Sequence, residues 1–256
     1  MSPETIAWLI LLAYLLIAIA VIARQALRCE HGILVWWLFV LNRLLCSFVW
    51  GWRSNRHCPF PDDGPALILA NHRSPADPAI LWMNLHLKSN RRRIRAINFL
   101  MAREFYEVKS LHWMFKALRS IPVERDGKDV APVREALKRL KAGELIGVFP
   151  EGGINEEPGL KQANSGIAWL AVKAKVPIYP VFIKDSPIGA TMISSITKRA
   201  HVKLIYGEPI DLTEQQGRKV KQEELELITT RLMTQLAELG GTFYTGNEET
   251  SAVTTN

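Results

Sequence analysis

ALILANHRSPADPAILW, residues 66–82, carries a strand, a helix start and a polar turn between them. Ala66–Ala70 is an apolar run of the length and composition of a buried strand. Asp77 opens a helical pattern that continues to Leu87. The residues between, Asn71-His72-Arg73-Ser74-Pro75-Ala76, follow the carboxyl end of the strand. Ligands of open α/β sheets gather at that end. His72 therefore stands where a base would stand, and Asp77 is placed to hold one imidazole nitrogen. Such a hold fixes the tautomer and raises basicity, so the other nitrogen can take a proton from a hydroxyl. The same spacing also suits a plain helix cap, with Asp77 capping and His72 a loop residue. The pair alone does not choose between the two.

Downstream, strand and helix alternate. Ile94–Met101 reads as a strand, Leu111–Leu118 as a helix and Ser120–Val123 as a short strand. Val130–Lys141 is amphipathic, with Val130, Val133, Ala136, Leu137 and Leu140 on one face and Gly143 as its stop. Leu145–Phe149 is a buried strand and Ser165–Lys175 a helix. Val176–Ile183 is a strand with two prolines, which places it at a sheet edge or at a bulge. Val202–Tyr206 is another strand, and Glu223–Leu239 closes the domain as a helix with Leu225, Ile228, Leu232 and Leu236 inward. The fold class is α/β, a mainly parallel central sheet flanked by helices. A breaker cluster from Pro59 to Pro65 marks its start, giving a domain over 61–240. The polar tail, 241–256, is expected to be disordered.

Upstream, Ile6–Ala23 holds 18 residues without a charge, about 27 Å as a helix, close to a bilayer core. No Lys or Arg precedes it, so it reads as a retained anchor rather than a signal peptide. Glu4 lies before it and Arg24 and Arg28 after it, which puts the rest of the chain on the cytoplasmic side. A second apolar stretch, 33–52, has Asn42 and Arg43 in its middle and contains Trp36, Trp37, Trp50 and Trp52. A buried charge argues against a plain span. Two readings stay open: an interfacial or re-entrant helix with Arg43 snorkelling, or aromatics packed on the soluble domain. Residues 1–60 form the anchor and interfacial segment.

Composition narrows the classes. Three cysteines in 256 residues, none in CxxC spacing, build neither a disulfide framework nor a zinc site. The histidines show no ligand spacing and HExxH is absent. A net charge of +7 attracts nucleic acid, anionic lipid or phosphorylated substrates. No nucleic-acid motif accompanies it. The one basic cluster, Arg91, Arg92, Arg93 and Arg95, suits anionic headgroups, the phosphates of coenzyme A, or plain solvent.

Three more blocks accompany His72-x4-Asp77. Val123-Glu124-Arg125 ends a strand and precedes Asp126-Gly127-Lys128-Asp129. Phe149-Pro150-Glu151-Gly152-Gly153 ends another, and Val176-Pro177-Ile178-Tyr179-Pro180-Val181 is the proline-bearing strand. Together, in this order over Pro65–Ile210, the four blocks resemble those of the glycerolipid acyltransferase family, of the 1-acylglycerol-3-phosphate acyltransferase type.

The resemblance implies a membrane-bound enzyme moving a fatty acyl group from acyl-CoA or acyl carrier protein to the hydroxyl of lysophosphatidic acid, a step of phospholipid synthesis. It implies no cofactor, no metal and no nucleic-acid partner. His72 would be the base and Asp77 its partner, with no acyl-enzyme; the sequence also lacks a GxSxG elbow. Arg125 would hold the acceptor phosphate, and Glu151 a glycerol hydroxyl or Arg125. Amides near Gly152 and Gly153 would face the oxyanion. The family's third block usually continues with Thr-Arg, where this chain has Gly153-Ile154. That keeps open another lyso-lipid or aminolipid acceptor, and a non-catalytic lipid-binding relative.

Overall fold

A computed structural model describes residues 1–83, 94–124, 130–189, 191–215 and 220–246. Within them a seven-stranded sheet forms the centre. Its strands are β1 (Arg53–Ser54), β2 (Ala66–Ala70), β3 (Ile97–Ala102), β4 (Ile121–Val123), β5 (Leu145–Val148), β6 (Ile178–Lys184) and β7 (Lys203–Tyr206). Their spatial order is β1-β7-β6-β2-β5-β3-β4. All neighbours run parallel except β6 and β7.

β2 sits in the middle, and each of its five residues is buried. Successive strand side chains point to opposite faces, so both faces of β2 are covered. Ala66, Ile68 and Ala70 join one core, and Leu67 and Leu69 the other. The second core is closed by α6 (Ala131–Lys141), α7 (Gly166–Ala174) and α9 (Gln222–Gly240). In α9 the inward set is Leu225, Ile228, Leu232 and Leu236, as the 3.6-residue period requires. The first core is closed by α2 (Ile33–Phe48) and α3 (Asp77–Met83).

One face of α2 follows the packing reading of the second apolar stretch. Val35, Trp36, Phe39, Asn42 and Cys46 are buried against the domain. Asn42 Nδ2 donates to the Ala79 carbonyl of α3 at 2.8 Å, and the Phe39 and Trp82 rings meet edge to face at 5.4 Å. Asn42 is thus a satisfied polar contact between helices. Arg43 lies half-buried, with its guanidinium 6.0 Å from the Phe39 ring centroid. The opposite face of α2, with Leu34, Trp37, Leu41, Leu44 and Phe48, is exposed. α1 (Pro3–Ala26) is long and apolar enough to cross a membrane, and of its 24 residues only Ala26 is buried.

Three expectations need correction. β6 is not at an edge; it lies between β7 and β2. In a parallel ladder the N–H and C=O of one residue face the same side. The Pro180 carbonyl accepts from Gly207 N–H, beyond the last β6–β7 pair, Val181 with Tyr206. Pro180 lacks the N–H that would answer the Gly207 carbonyl, and that carbonyl takes the Arg56 guanidinium instead. Arg95 is neither solvated nor free for a headgroup. It is buried, donates to the carbonyls of Pro61, Gly64 and Gly143, and pairs with Glu30 at 3.4 Å. Its clustermates Arg91–Arg93 lie outside the described residues. The tail is ordered through Gly246, and Tyr244 is buried in the second core; residues 247–256 lie outside the described set.

Other elements fall close to their sequence positions. α5 (His112–Ala117) was marked by Leu111–Leu118. The helix from Asp77 is described to Met83 only. α4 (Arg103–Tyr106) and α8 (Met192–Thr197) had no periodic signal.

Candidate active site

The loops after β2, β5 and β6 meet at the carboxyl end of the sheet. After β2, Asn71 turns inward and binds across to β6: its Nδ2 donates to the Ile183 carbonyl at 3.0 Å, and its Oδ1 accepts Ile183 N–H at 2.6 Å. This two-point tie fixes where His72 leaves the strand.

His72 Nδ1 lies 3.0 Å from Asp77 Oδ2. The same oxygen accepts the N–H groups of Arg73 and Ser74, at 2.7 and 2.8 Å. Oδ1 accepts the Ser186 hydroxyl at 2.6 Å. Asp77 has no exposed surface, so its charge depends on these donors and on the start of α3. With Asp77 accepting, Nδ1 carries the ring proton of the neutral imidazole, which leaves Nε2 as the basic nitrogen. Among the described residues Nε2 has no hydrogen-bond partner, and the His72 side chain keeps 17% of its surface exposed.

An aromatic stack sets the ring plane. The Phe149 ring lies 4.2 Å from His72 at an interplanar angle of 17°, and Phe99 lies 5.5 Å from Phe149 at 9°. The stack needs Gly147 in β5, since a Cβ there would meet the Phe99 ring at 2.3 Å.

Glu151, half-buried, binds the backbone of His72 rather than its ring. Oε1 accepts His72 N–H at 2.9 Å, while Oε2 accepts Asn155 Nδ2 at 2.8 Å and Lys161 N–H at 3.0 Å. Asn155 N–H returns to the His72 carbonyl at 2.7 Å. The structure therefore brings His72, Asp77 and Glu151 together. Gly152 and Gly153 follow in the same turn, but Gly152 N–H donates to the Phe149 carbonyl at 3.1 Å and is not available to an oxyanion. Arg125 lies outside the described residues. Its neighbour Glu124 pairs with Arg103 at the start of α4. No group of three His, Cys, Asp or Glu suited to a metal is found among the described residues.

Residues 54–184 match the family described as acyltransferase. The chain belongs to that family. This acyltransferase is 27% identical over 144 residues to a 1-acyl-sn-glycerol-3-phosphate acyltransferase of Bacillus subtilis (strain 168), covering 56% of this chain and 68% of the other. It is 28% identical over 131 residues to a taffazin of Dictyostelium discoideum, covering 45% of this chain and 44% of that protein. The crystal structure of the 1-acyl-sn-glycerophosphate acyltransferase PlsC of Thermotoga maritima shares its fold, with a TM-score of 0.59 at 20% identity over 79% of this chain and 78% of that one. The chain is thus an acyltransferase enzyme.

Sequence reasoning missed two contributors. Ser186 reaches Asp77 from the end of β6, and Asn155 organises the loop after β5. Ser186 has no spacing signal because it acts on a residue 109 positions away, and Asn155 has none because its side-chain bonds stay within an irregular loop, to Glu151 and Gly159.

Proposed function

We propose that this acyltransferase moves a fatty acyl group from a thioester, acyl-CoA or acyl carrier protein, to the free hydroxyl of 1-acylglycerol-3-phosphate. The observation that carries the reading is the 3.0 Å contact of His72 Nδ1 with the buried Asp77. Nε2 takes the hydroxyl proton as the oxygen attacks the thioester carbonyl. Asp77 holds the tautomer and stabilises the imidazolium that forms. Collapse of the tetrahedral intermediate breaks the C–S bond, and the imidazolium returns the proton to the leaving thiolate. Gly153 is the glycine amide assigned to the oxyanion. Arg125 binds the acceptor phosphate through its planar fork of donors.

α1 crosses the bilayer and holds the domain at the cytoplasmic surface, where acceptor and product arrive and leave by lateral diffusion. The apolar length of α1, with none of its most apolar 18-residue window buried, supports this.

His72→Ala is expected to lose about 10²–10⁴ in turnover while the protein stays in the membrane fraction; wild-type turnover would refute the base. Arg125→Ala is expected to raise the acceptor KM more than the donor KM; equal changes would remove the phosphate role. Gly153-Ile154 in place of Thr-Arg favours a second reading, a lyso-lipid acceptor with another headgroup. Labelled acyl donor offered to a panel of lyso-lipids separates the two.

A further inference from the structure

The segment after α9 reaches the catalytic loop through a short chain of contacts. Gly241 ends the helix with φ +66°, and Thr242 N–H returns to the Ala237 carbonyl at 3.0 Å. The chain then runs beside the loop that follows β5. Leu160 N–H donates to the Phe243 carbonyl at 2.9 Å, and Thr245 N–H donates to the Leu160 carbonyl at 3.1 Å. The Thr245 hydroxyl adds a second bond to the Leu160 carbonyl at 2.9 Å, and Ala163 N–H donates to the Tyr244 hydroxyl at 3.2 Å. Phe243 lies over Gly159, whose φ is +82° and where a Cβ would stand 2.6 Å from the ring.

Both backbone groups of Leu160 thus face residues 243–245. In extended chain the next peptide faces the other way. The Lys161 N–H accordingly points to Glu151 Oε2, at 3.0 Å. Glu151 in turn holds the N–H of His72 at 2.9 Å.

We propose that residues 242–245 are a positioning strap for this acyltransferase: they fix Leu160–Lys161, which fixes Glu151, which sets the backbone of His72. The strap touches no reacting atom and acts on the rate through the placement of the imidazole. The proposal rests on His72 as the base, and one arm of its test does not use activity.

The experiment compares the full chain with chains ending after Gly246 and after Thr242, and with Tyr244→Phe. Each is assayed by acyl transfer from acyl-CoA to 1-acylglycerol-3-phosphate in detergent micelles, by thermal midpoint, and by amide hydrogen exchange. Leu236→Ala, in the core of α9, is a control for general loss of stability. Ending after Gly246 is expected to change nothing. Ending after Thr242 is expected to lower kcat about tenfold, with both KM values within about twofold, and to speed exchange at His72 and Lys161 more than in β2. Tyr244→Phe, which keeps the ring, is expected to lower kcat about twofold to threefold, with faster exchange at Ala163. Wild-type exchange at His72 after removal of 243–246 would overturn the strap. So would an equal kcat loss and equal exchange in Leu236→Ala. Faster local exchange with unchanged kcat would retain the mechanical link and overturn the role in rate, and normal turnover of His72→Ala would locate the failure in the base assignment instead.

Discussion

Two carboxylates serve the same histidine from different loops. Asp77, after β2, is wholly buried and spends one oxygen on the imidazole and two backbone amides and the other on Ser186. Glu151, after β5, is half-buried and spends both oxygens on backbone and amide donors, including the N–H of His72. One carboxylate addresses the imidazole ring, the proposed base. The other addresses the peptide that carries it. The difference teaches that a conspicuous acid at a strand end need not touch substrate: Glu151 has its oxygens committed to holding two loops together.

Substitutions can break this division of labour. Asp77→Asn puts an amide among the groups that now donate to the carboxylate, and removes the charge that balances the imidazolium. It is expected to cost about 10²–10⁴ in kcat, read by steady-state assay with the thermal midpoint as control. Glu151→Gln can keep one acceptor for His72 N–H but turns an NH2 toward the Asn155 and Lys161 donors. Each donor left without a partner costs about 1–3 kcal/mol, so the thermal midpoint should fall and kcat should drop about tenfold. If Glu151→Gln lost as much turnover as Asp77→Asn at an unchanged thermal midpoint, Glu151 would belong with the chemistry and the contrast would fail. Ser186→Ala sharpens the comparison from the other side. It removes one donor from Asp77 Oδ1 and is expected to lower kcat about threefold to tenfold, with Ser186→Thr restoring most of it.

Much of this was legible in residues 66–82. An all-apolar pentapeptide announced the central strand, and the polar turn after it announced the site. α9 was legible because its period of 3.6 is unbroken, α6 because Ala136 and Leu140 hold that period although Val130, read as inward, caps the helix and is exposed, and α1 because its apolar run is unbroken. What escaped was short or acted at a distance. β1 is two polar residues, and α4 is four. The interior place of β6 was hidden because the proline rule counts lost donors, and the Gly207 carbonyl opposite Pro180 is supplied by Arg56 instead. Arg95 stands among other arginines in sequence, yet only one neighbour of it needs to be a buried cluster of carbonyls for it to leave the solvent. The order of residues 242–246 rests mainly on backbone bonds to Leu160, which leave little trace in side-chain composition.

The two-sided nature of α2 bears on how the molecule can be shortened. Trimming only the first helix would keep Trp36, Phe39 and Asn42 over α3 and leave the flank with Trp37, Leu41 and Phe48 exposed, as it is in the full chain. Trimming to the proline cluster at 59–65 would strip a wall from the first core and uncover Trp82 and Ile80. A truncated enzyme should therefore start before Cys29, keeping Glu30 against Arg95 and α2 whole, since one flank of α2 works as masonry for the first core.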